Sequence, residues 1–252
     1  MAKNWNEAQI NEKKFWKNIY HENRNEVYDK VTDEHLIGFT NEVLQRHKLN
    51  ILNFREKKIA DIGCGPFGII KGLMLMDEKM KININQIFGI DPLMKFYKEE
   101  IGILKENGYL NLIESPGENI PIDNKNIDFI FSTNVLDHCE DPEKVISEAE
   151  RILKEDGEFY CSVHVVFSYL SFLAPVLKYF DTNHPKHFSE NFFLKLLSNK
   201  FKKVRVTYRA KIFDDHPKFK FKNILKSKNI YKGLKRFLSH YILYTVYFSC
   251  KK

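Results

Sequence analysis

The stretch Ile59–Gly68 restricts the fold of this chain more than any other part of the sequence. A short apolar run ends at Asp61 and then breaks into closely spaced glycines before a second apolar segment. That order predicts a strand, a tight turn and a helix start. Gly63 and Gly65 have no Cβ, so the backbone can turn sharply and approach a ligand closely. Free N–H groups at the helix start favour a polar or anionic ligand there.

The bulk composition is that of a globular protein with one core. Of the 252 residues, 43% are hydrophobic and 29% are charged, which predicts a single domain over residues 1–252. The polar, acid-containing start differs from a signal or transit peptide. Four scattered cysteines without a CxxC motif predict free thiols in a reducing cytoplasm and no metal site: Cys64, Cys139, Cys161 and Cys250.

Positive charge is concentrated toward the C-terminal end. The net charge is +7, and few acids follow Asp215 in the Lys- and Arg-rich stretch from Lys195 to Lys252. Such an excess favours an anionic partner, which is a phosphorylated substrate, a membrane surface or nucleic acid. A solvated basic face explains the same excess equally well.

Strand and helix patterns alternate after an N-terminal helical cap over residues 1–50. In the cap, helices are predicted near 6–22, with Ile10, Phe15, Trp16 and Ile19 on one face, and near 26–48. Strands are predicted at Lys58–Ile62, Gln86–Ile90, Leu110–Glu114 and Ile127–Ser132, from Gly157, and near 203–210 and 241–248. Helices are predicted at 67–76, 92–107, 142–153 and 189–199, with a turn at Lys154–Gly157. The alternation predicts an α/β fold, a mostly parallel sheet with helices on both faces.

Two segments interrupt this alternation. Between Glu158 and Lys178 no Asp, Glu, Lys or Arg occurs, and the length is close to that of a membrane span. Pro175 would interrupt a single helix, so we expect a strand followed by an apolar lid over residues 165–200. A basic insertion over residues 214–239 precedes the last strand.

Polar residues end three of the predicted strands. Asp61 and the glycine turn follow the first strand, Asp91 ends the second, and Thr133 and Asn134 end the fourth. In open α/β sheets, ligands bind at the carboxyl ends of the strands. A carboxylate at Asp91 can accept two hydrogen bonds from ribose hydroxyls, and Asp61 suits an ammonium or sulfonium group.

The same segments resemble successive motifs of class I S-adenosylmethionine-dependent methyltransferases. The matching segments are Asp61–Gly65, Gly89–Pro92, Glu118–Pro121, Phe129–His138 and Ala149–Glu158. They cover roughly residues 55–165 in order and spacing, so the resemblance is far more specific than any single motif. It implies a Rossmann-like seven-stranded sheet with an antiparallel last strand, with S-adenosyl-L-methionine as the cofactor.

The resemblance also implies roles for individual residues. Asp61, Gly63, Cys64 and Gly65 would hold the methionine end of the cofactor, with Cys64 small and buried. Asp91 would bind the ribose, and Pro92 and Leu93 would lie alongside the adenine. The adenine edge would be flanked by Gly117, Glu118 and Asn119, and the site closed by Thr133 and Asn134. Pro116 departs from the family, in which an acid often stands there, so backbone groups of Gly117 and Glu118 would replace that carboxylate.

Three histidines are candidates for the chemistry of methyl transfer. His184 and His187 flank Pro185, and a similar His-Phe-Ser/Thr element lies near the acceptor pocket in related methyltransferases. An imidazole that titrates near neutrality can take a proton from a hydroxyl acceptor. His138 follows the fourth strand, where a capping or packing role competes with catalysis.

These features predict methylation of an oxygen atom on a small or glycan-linked acceptor that carries phosphate or another anion. A bacterial surface-glycan pathway fits such an acceptor. The Asn/Asp-Pro-Pro-Tyr/Phe element typical of nitrogen methylation is absent, and Ser132–Val135 stands in its place. An RNA methyltransferase that uses the basic region and a non-catalytic cofactor-binding module are the alternatives. Stable nucleic-acid binding is not expected, and a peripheral membrane contact and the oligomeric state stay open.

A nicotinamide-dinucleotide fold is a further alternative. Gly63, Gly65 and Gly68 also satisfy the GxGxxG pattern of such folds. Asp61 directly before the turn and the later motifs argue against it.

Overall fold

An eight-stranded mixed sheet forms the centre of the protein in a computed structural model that describes residues 2–21, 32–101, 108–167, 188–211 and 243–252. His184, His187, most of the predicted lid and the basic insertion lie outside the described residues. The strands are β1 Lys58–Ile62, β2 Gln86–Asp91, β3 Leu110–Glu114, β4 Ile127–Thr133, β5 Leu153–Val166, β6 Phe188–Ser189, β7 Lys203–Lys211 and β8 Leu243–Lys251.

The sheet has the order β3-β2-β1-β4-β5-β8-β7, and β6 pairs with the end of β5. The first five strands are parallel neighbours, whereas β8 runs antiparallel to both β5 and β7. The predicted sheet with an antiparallel last strand is therefore confirmed, and the two-residue β6 adds an eighth strand. The strand order reverses between β1 and β4, where open α/β sheets bind their ligands.

Helices cover both faces of this sheet. They are α1 Ala2–His21, α2 Asp33–Arg46, α3 Ile70–Met80, the single turn α4 Met94–Phe96 followed by a π-helix at Tyr97–Ile101, α5 Pro142–Ile152 and α6 Glu190–Ser198. Hydroxyl or carboxylate side chains cap three of them: Thr32 caps α2, Asp141 caps α5 and Ser189 caps α6. Each accepts a backbone N–H of the first turn, which stabilises the helix start.

The core consists of two clusters, one on each face of the sheet. Val43, Leu44, Ile70, Leu73 and Met76 of α2 and α3 join one cluster. The other contains buried hydrophobic residues of α5 and α6: Val145, Ile146, Ala149, Ile152, Phe193 and Leu197. Because both faces are covered at the centre of the sheet, β1, β5 and β8 have continuous buried runs rather than alternation.

Several predicted boundaries are wrong. The predicted turn Lys154–Gly157 is instead part of β5. The pairing of β5 with β4 shifts register between Ile127 and Phe129, so the extra residues of β5 form a bulge. The helix predicted from Pro92 begins at Met94, and the one predicted from Phe67 begins at Ile70. On α1, Ile10 and Phe15 are 51% and 53% exposed, so they do not form the buried face expected for that helix.

Candidate active site

A cavity of about 600 Å³ opens at the carboxyl edge of the sheet. Its walls come from the residues that follow β1, β2, β3 and β4, together with α1 and the start of α2. The predicted residues that line it are Asp61, Gly63, Cys64, Gly65, Asp91, Pro92, Leu93, Gly117, Glu118, Thr133, Asn134 and His138. The volume is in the range of small-molecule and cofactor sites. Asn119 was also predicted here but is not a lining residue. Its backbone is held within the loop by Ser115 and Pro116.

The glycine turn after β1 is built around positive φ angles. Gly63, Gly65 and Gly68 have φ of 72°, 57° and 45°, a region that L side chains rarely adopt. The backbone N–H of Gly63 donates to the carbonyl of Ile90 at 2.7 Å, which ties the turn to the end of β2.

The N–H groups of this turn are occupied by carboxylates of the protein. Gly65 donates to Asp91 Oδ2 at 3.0 Å, and Ile69 donates to Asp61 Oδ2 at 3.3 Å. The expectation that free N–H groups here favour a polar or anionic ligand therefore does not hold for these two donors, which carboxylates of the protein already accept. The turn instead presents carboxylates to the cavity, which favour a cation or a hydrogen-bond donor.

Gly63 and Gly65 lack side chains for different reasons. A Cβ on Gly63 would overlap the side chain of Val135, so this glycine allows the turn to pack against the segment after β4. Around Gly65 the nearest heavy atom to such a Cβ is Trp16 Cζ2 at 4.0 Å. Only Gly65 therefore leaves room toward the cavity.

Burial changes the acid–base properties of both carboxyl groups. It raises the pKa of Asp61 from 3.8 to about 7, although the hydrogen bond from Ile69 lowers it and the nearby Asp91 raises it further. Burial likewise raises the pKa of Asp91 to about 6, against hydrogen bonds from Leu93 and Gly65. A buried carboxylate is costly without a counter-charge, so both groups favour a positively charged ligand.

Three buried side-chain oxygens at the end of β4 have no hydrogen-bond partner among the described residues: Ser132 Oγ, Thr133 Oγ1 and Asn134 Oδ1. Of these residues, Thr133 and Asn134 line the cavity. Asn134 has φ of 57°, and its N–H donates to the carbonyl of Ser162 at 3.0 Å. Buried polar atoms are rarely left unsatisfied, so the oxygens of Thr133 and Asn134 indicate hydrogen bonds to a ligand.

His138 lies on the cavity wall beside a buried acid. Its Nε2 is 4.0 Å from Asp137 Oδ1, and the side chain of Asp137 is 1% exposed. This pair brings an imidazole to the edge of the cavity next to the end of β4, a position open to proton transfer.

The loop after β3 is fixed from outside the cavity. Arg151 of α5 donates to the carbonyls of Ile120 and Ile122 at 2.8 and 2.9 Å and pairs with Glu148. Glu148 accepts the N–H of Ile120 at 2.8 Å. These contacts hold the loop whose Gly117 and Glu118 line the cavity, and Gly117 packs too closely on Ile62 and Val145 to carry a side chain.

The sequence did not predict that α1 and α2 would form one wall of the cavity. Trp5, Gln9, Asn11, Glu12, Phe15, Trp16, His35, Leu36 and Phe39 contribute to it. Trp16 packs edge-on against Phe67 and Tyr97, with ring centroids 6.0 and 6.3 Å apart. A sequence signal existed, since Gln9, Glu12 and Trp16 are spaced i, i+3 and i+7 and therefore share one helix face.

The family comparison agrees with this geometry. Residues 60–161 match a family described as "Methyltransferase domain", and they carry the turn, the strand ends and the loop that line the cavity. This match covers 102 of the 252 residues, so this part of the chain resembles the class I methyltransferases. The dinucleotide alternative is set aside by this match.

The chain has curated relatives that match part of its length. It is 28% identical over 137 residues to a ubiquinone/menaquinone biosynthesis C-methyltransferase of Campylobacter jejuni, a match that covers 52% of the chain and 56% of that relative. The chain thus spans about half the length of the curated relatives it matches.

Solved structures share the fold at low identity. A putative sarcosine dimethylglycine methyltransferase from Galdieria sulphuraria has a TM-score of 0.58 at 19% identity, covering 91% of this chain and 87% of the other. A phosphoethanolamine N-methyltransferase from Haemonchus contortus, in complex with S-adenosylhomocysteine, has a TM-score of 0.53 at 15% identity, covering 88% and 57%.

The described cavity fits S-adenosylmethionine, the cofactor of this class. Its buried carboxylates suit a sulfonium and an ammonium, the space beside Gly65 is open, and unpartnered oxygens at Thr133 and Asn134 accept hydrogen bonds. Across the described ranges, no cluster of three or more His, Cys, Asp or Glu side chains is arranged to hold a metal ion.

Proposed function

We propose that this protein transfers a methyl group from S-adenosylmethionine to an oxygen atom of a small or glycan-linked acceptor. The observation that carries the proposal is the cavity at the switch point of the sheet, whose lining combines buried carboxylates with unpartnered oxygens. S-adenosylmethionine supplies an electrophilic methyl group when bound. The protein supplies position, because an in-line displacement is accelerated mainly by holding the acceptor atom at the right distance and angle.

The residues divide this task. Asp61 and Asp91 provide negative charge at the ends of β1 and β2, and Thr133 and Asn134 provide acceptor oxygens at the end of β4. His138 is the described candidate to receive a hydroxyl proton, at its imidazole beside Asp137. His184 and His187 stay proposed bases from the sequence alone.

The class of acceptor rests on charge. The described lining contains Glu12, Asp61, Asp91 and Glu118, and its basic side chains are the imidazoles of His35 and His138. Cations for a phosphorylated or otherwise anionic acceptor would therefore come from outside this lining. The segment 212–242 carries seven Lys and one Arg against two Asp, and its flanking residues lie at the ends of β7 and β8 on the carboxyl edge. A role in bacterial surface-glycan biosynthesis is proposed on that ground.

Incubation with methyl-labelled S-adenosylmethionine and fractionated cell extract tests the proposal. We expect label in the small-molecule or glycan fraction, with the chemical shift of an O-methyl carbon by NMR. Label in an N-methyl or C-methyl group would contradict the oxygen acceptor but leave methyl transfer standing. Label in RNA would support the alternative that the basic region tracks phosphates. Binding of S-adenosylhomocysteine without labelling of any fraction would favour a non-catalytic module.

None of the helices in the described part of the chain combines the length and the apolar character needed to cross a bilayer. A cytoplasmic location and a peripheral membrane contact through the basic stretch stay proposals.

A further inference from the structure

Two phenylalanine rings in the wall of the cavity are exposed to solvent. Phe15 of α1 is 53% exposed and Phe39 of α2 is 42% exposed, and both residues line the cavity. Phenylalanine is usually buried, and apolar surface that stays exposed in a concave site indicates contact with a ligand. Both residues lie outside the family-matched residues 60–161, so that match assigns them no role.

Phe15 lies next to the tryptophan that faces the glycine turn. Trp16 Cζ2 is 4.0 Å from the position of a Cβ on Gly65. Phe15 packs edge-on against Trp16, with ring centroids 5.3 Å apart, and more than half of Phe15 remains exposed. The wall at Phe15 is therefore available to a molecule that binds beside a cofactor held by the turn.

A buried acceptor atom lies on the same helix. Gln9 lines the cavity, and its Oε1 is buried without a hydrogen-bond partner among the described residues. Gln9 and Trp16 are spaced i and i+7, so they share one face of α1. Because a buried polar atom without a partner is costly, Gln9 indicates a ligand that donates a hydrogen bond at this wall.

Charge and hydrogen bonding decide which ligand fits these side chains. The described lining carries four carboxylates, and its basic side chains are two imidazoles, so an anionic group is disfavoured there. An apolar chain or a quaternary ammonium group has no hydrogen to donate to Gln9 Oε1. A sugar ring is uncharged, has an apolar C–H face that packs on an aromatic face, and carries hydroxyl donors.

We propose that Phe15, Phe39 and Gln9 form the acceptor subsite. An uncharged sugar ring of the acceptor packs against the phenylalanine rings and donates a hydroxyl hydrogen bond to Gln9 Oε1. This inference rests on the proposed function, because it names the part of the acceptor that enters the same cavity. It assigns recognition of the acceptor to α1 and α2, while the strand ends hold the cofactor.

Saturation-transfer NMR on the full chain with S-adenosylhomocysteine bound tests the subsite. The probes are the methyl glycosides of glucose, galactose, mannose and rhamnose, with choline and n-octanol as the cationic and apolar alternatives. We expect saturation of the ring C–H protons of at least one glycoside, and none of choline or n-octanol.

Three variants test the named residues. Phe15→Ala and Phe39→Ala should each raise the dissociation constant of the bound glycoside about 3- to 10-fold, the range typical of an aromatic contact. Gln9→Leu should raise it by a similar factor through the lost hydrogen bond. Its Tm should not fall, because the change removes an unpaired buried oxygen.

Ile10→Ala is the matched control. Ile10 is also on α1 and 51% exposed, but it is not a lining residue and lies about 140° around the helix from Phe15. This variant should bind the glycoside as the wild type does. S-adenosylhomocysteine affinity should stay unchanged in all four variants.

The contrary outcomes separate this inference from the proposed function. Saturation of choline or n-octanol without any glycoside would overturn the sugar subsite, as would the absence of saturation in every probe. Wild-type glycoside affinity in both phenylalanine variants would do the same. A fall in S-adenosylhomocysteine affinity in either variant would assign that ring to the cofactor instead. Methyl transfer stands in each of these cases, whereas a wild-type protein that does not bind S-adenosylhomocysteine would overturn the proposed function itself.

Discussion

Asp61→Asn is expected to make the ligand-free protein more stable while weakening cofactor binding. Asp61 is 2% exposed, and its hydrogen bond comes from the N–H of Ile69 at 3.3 Å, with no cation of the described residues paired to it. An amide oxygen can accept the same hydrogen bond without a buried charge. The wild-type protein thus retains a destabilising group at the place where a cationic ligand would bind, a trade-off typical of functional sites.

The rise in the pKa of Asp61 from 3.8 to about 7 sets the magnitude. Because the folded-state pKa is above the unfolded one, stability from this group is present at low pH and is lost as pH rises through 7. At pH 8 the loss is about 4 kcal/mol. Allowing about 1 kcal/mol for a weaker hydrogen bond to the amide, the variant should gain about 2–4 kcal/mol, or on the order of 5–15 °C in Tm.

Thermal unfolding at several pH values, with and without ligand, checks this prediction. The gain should be largest at pH 8 and fall by more than half at pH 5. S-adenosylmethionine affinity should fall more than that of S-adenosylhomocysteine, which lacks the sulfonium charge. Glu190→Gln is the matched control, because the hydrogen bond from Arg209 lowers the pKa of Glu190, so its loss should destabilise the protein at neutral pH. An Asp61→Asn variant that is less stable than wild type at pH 8 would refute the reasoning.

The glycine turn, His138 and the basic stretch can each be tested separately. Gly65→Ala should lower S-adenosylhomocysteine affinity at near-native Tm, because only the backbone is strained. Gly63→Ala should instead lower Tm by several degrees through its clash with Val135. Equal losses of Tm for the two variants in scanning calorimetry would contradict the distinction. If His138 is the base, His138→Ala should reduce kcat about 10²–10⁴-fold and leave S-adenosylhomocysteine binding unchanged. A wild-type kcat in this variant would leave His184 and His187 as the candidate bases, and alanine variants of each would be tested in the same way. In RNA-binding assays at salt concentrations raised from low to physiological, specific binding should be absent at physiological salt. Binding that persists at that salt concentration would support the RNA methyltransferase alternative.

The fold and half of the site could be predicted because their signals are local. The glycine turn, Asp91 at a strand end and Thr133–Asn134 at another are short patterns whose position depends only on parallel strands ending at one edge. What the N–H groups of the turn bind could not be predicted in the same way. Gly65 donates to Asp91, which is 26 residues later in the chain, and Ile69 donates to Asp61, which is 8 residues earlier. Such pairings depend on the packed structure.

Helix α1 shows what the periodicity of apolar residues does not predict. The spacing of apolar residues indicates which side chains share a face, but not what that face meets. Ile10 and Phe15 were expected to be buried, yet both are more than half exposed. Trp16 does pack inward, against Phe67 and Tyr97, with Glu12 hydrogen-bonded to it, so the helix covers a cavity rather than the core.

The charges around the cavity affect the cofactor and the acceptor of the proposed reaction in opposite ways. Buried carboxylates at Asp61 and Asp91 favour a sulfonium cofactor, and the same charges repel an anionic acceptor inside the cavity. A phosphorylated acceptor would therefore fit best with its anionic group outside the described lining. The flanks of the basic stretch, Lys211 and Leu243, pair with residues at the carboxyl edge of the sheet. If the proposed function holds, an elongated acceptor would place its reactive hydroxyl in the acidic cavity and its anion at the rim, as a glycan-linked phosphate would.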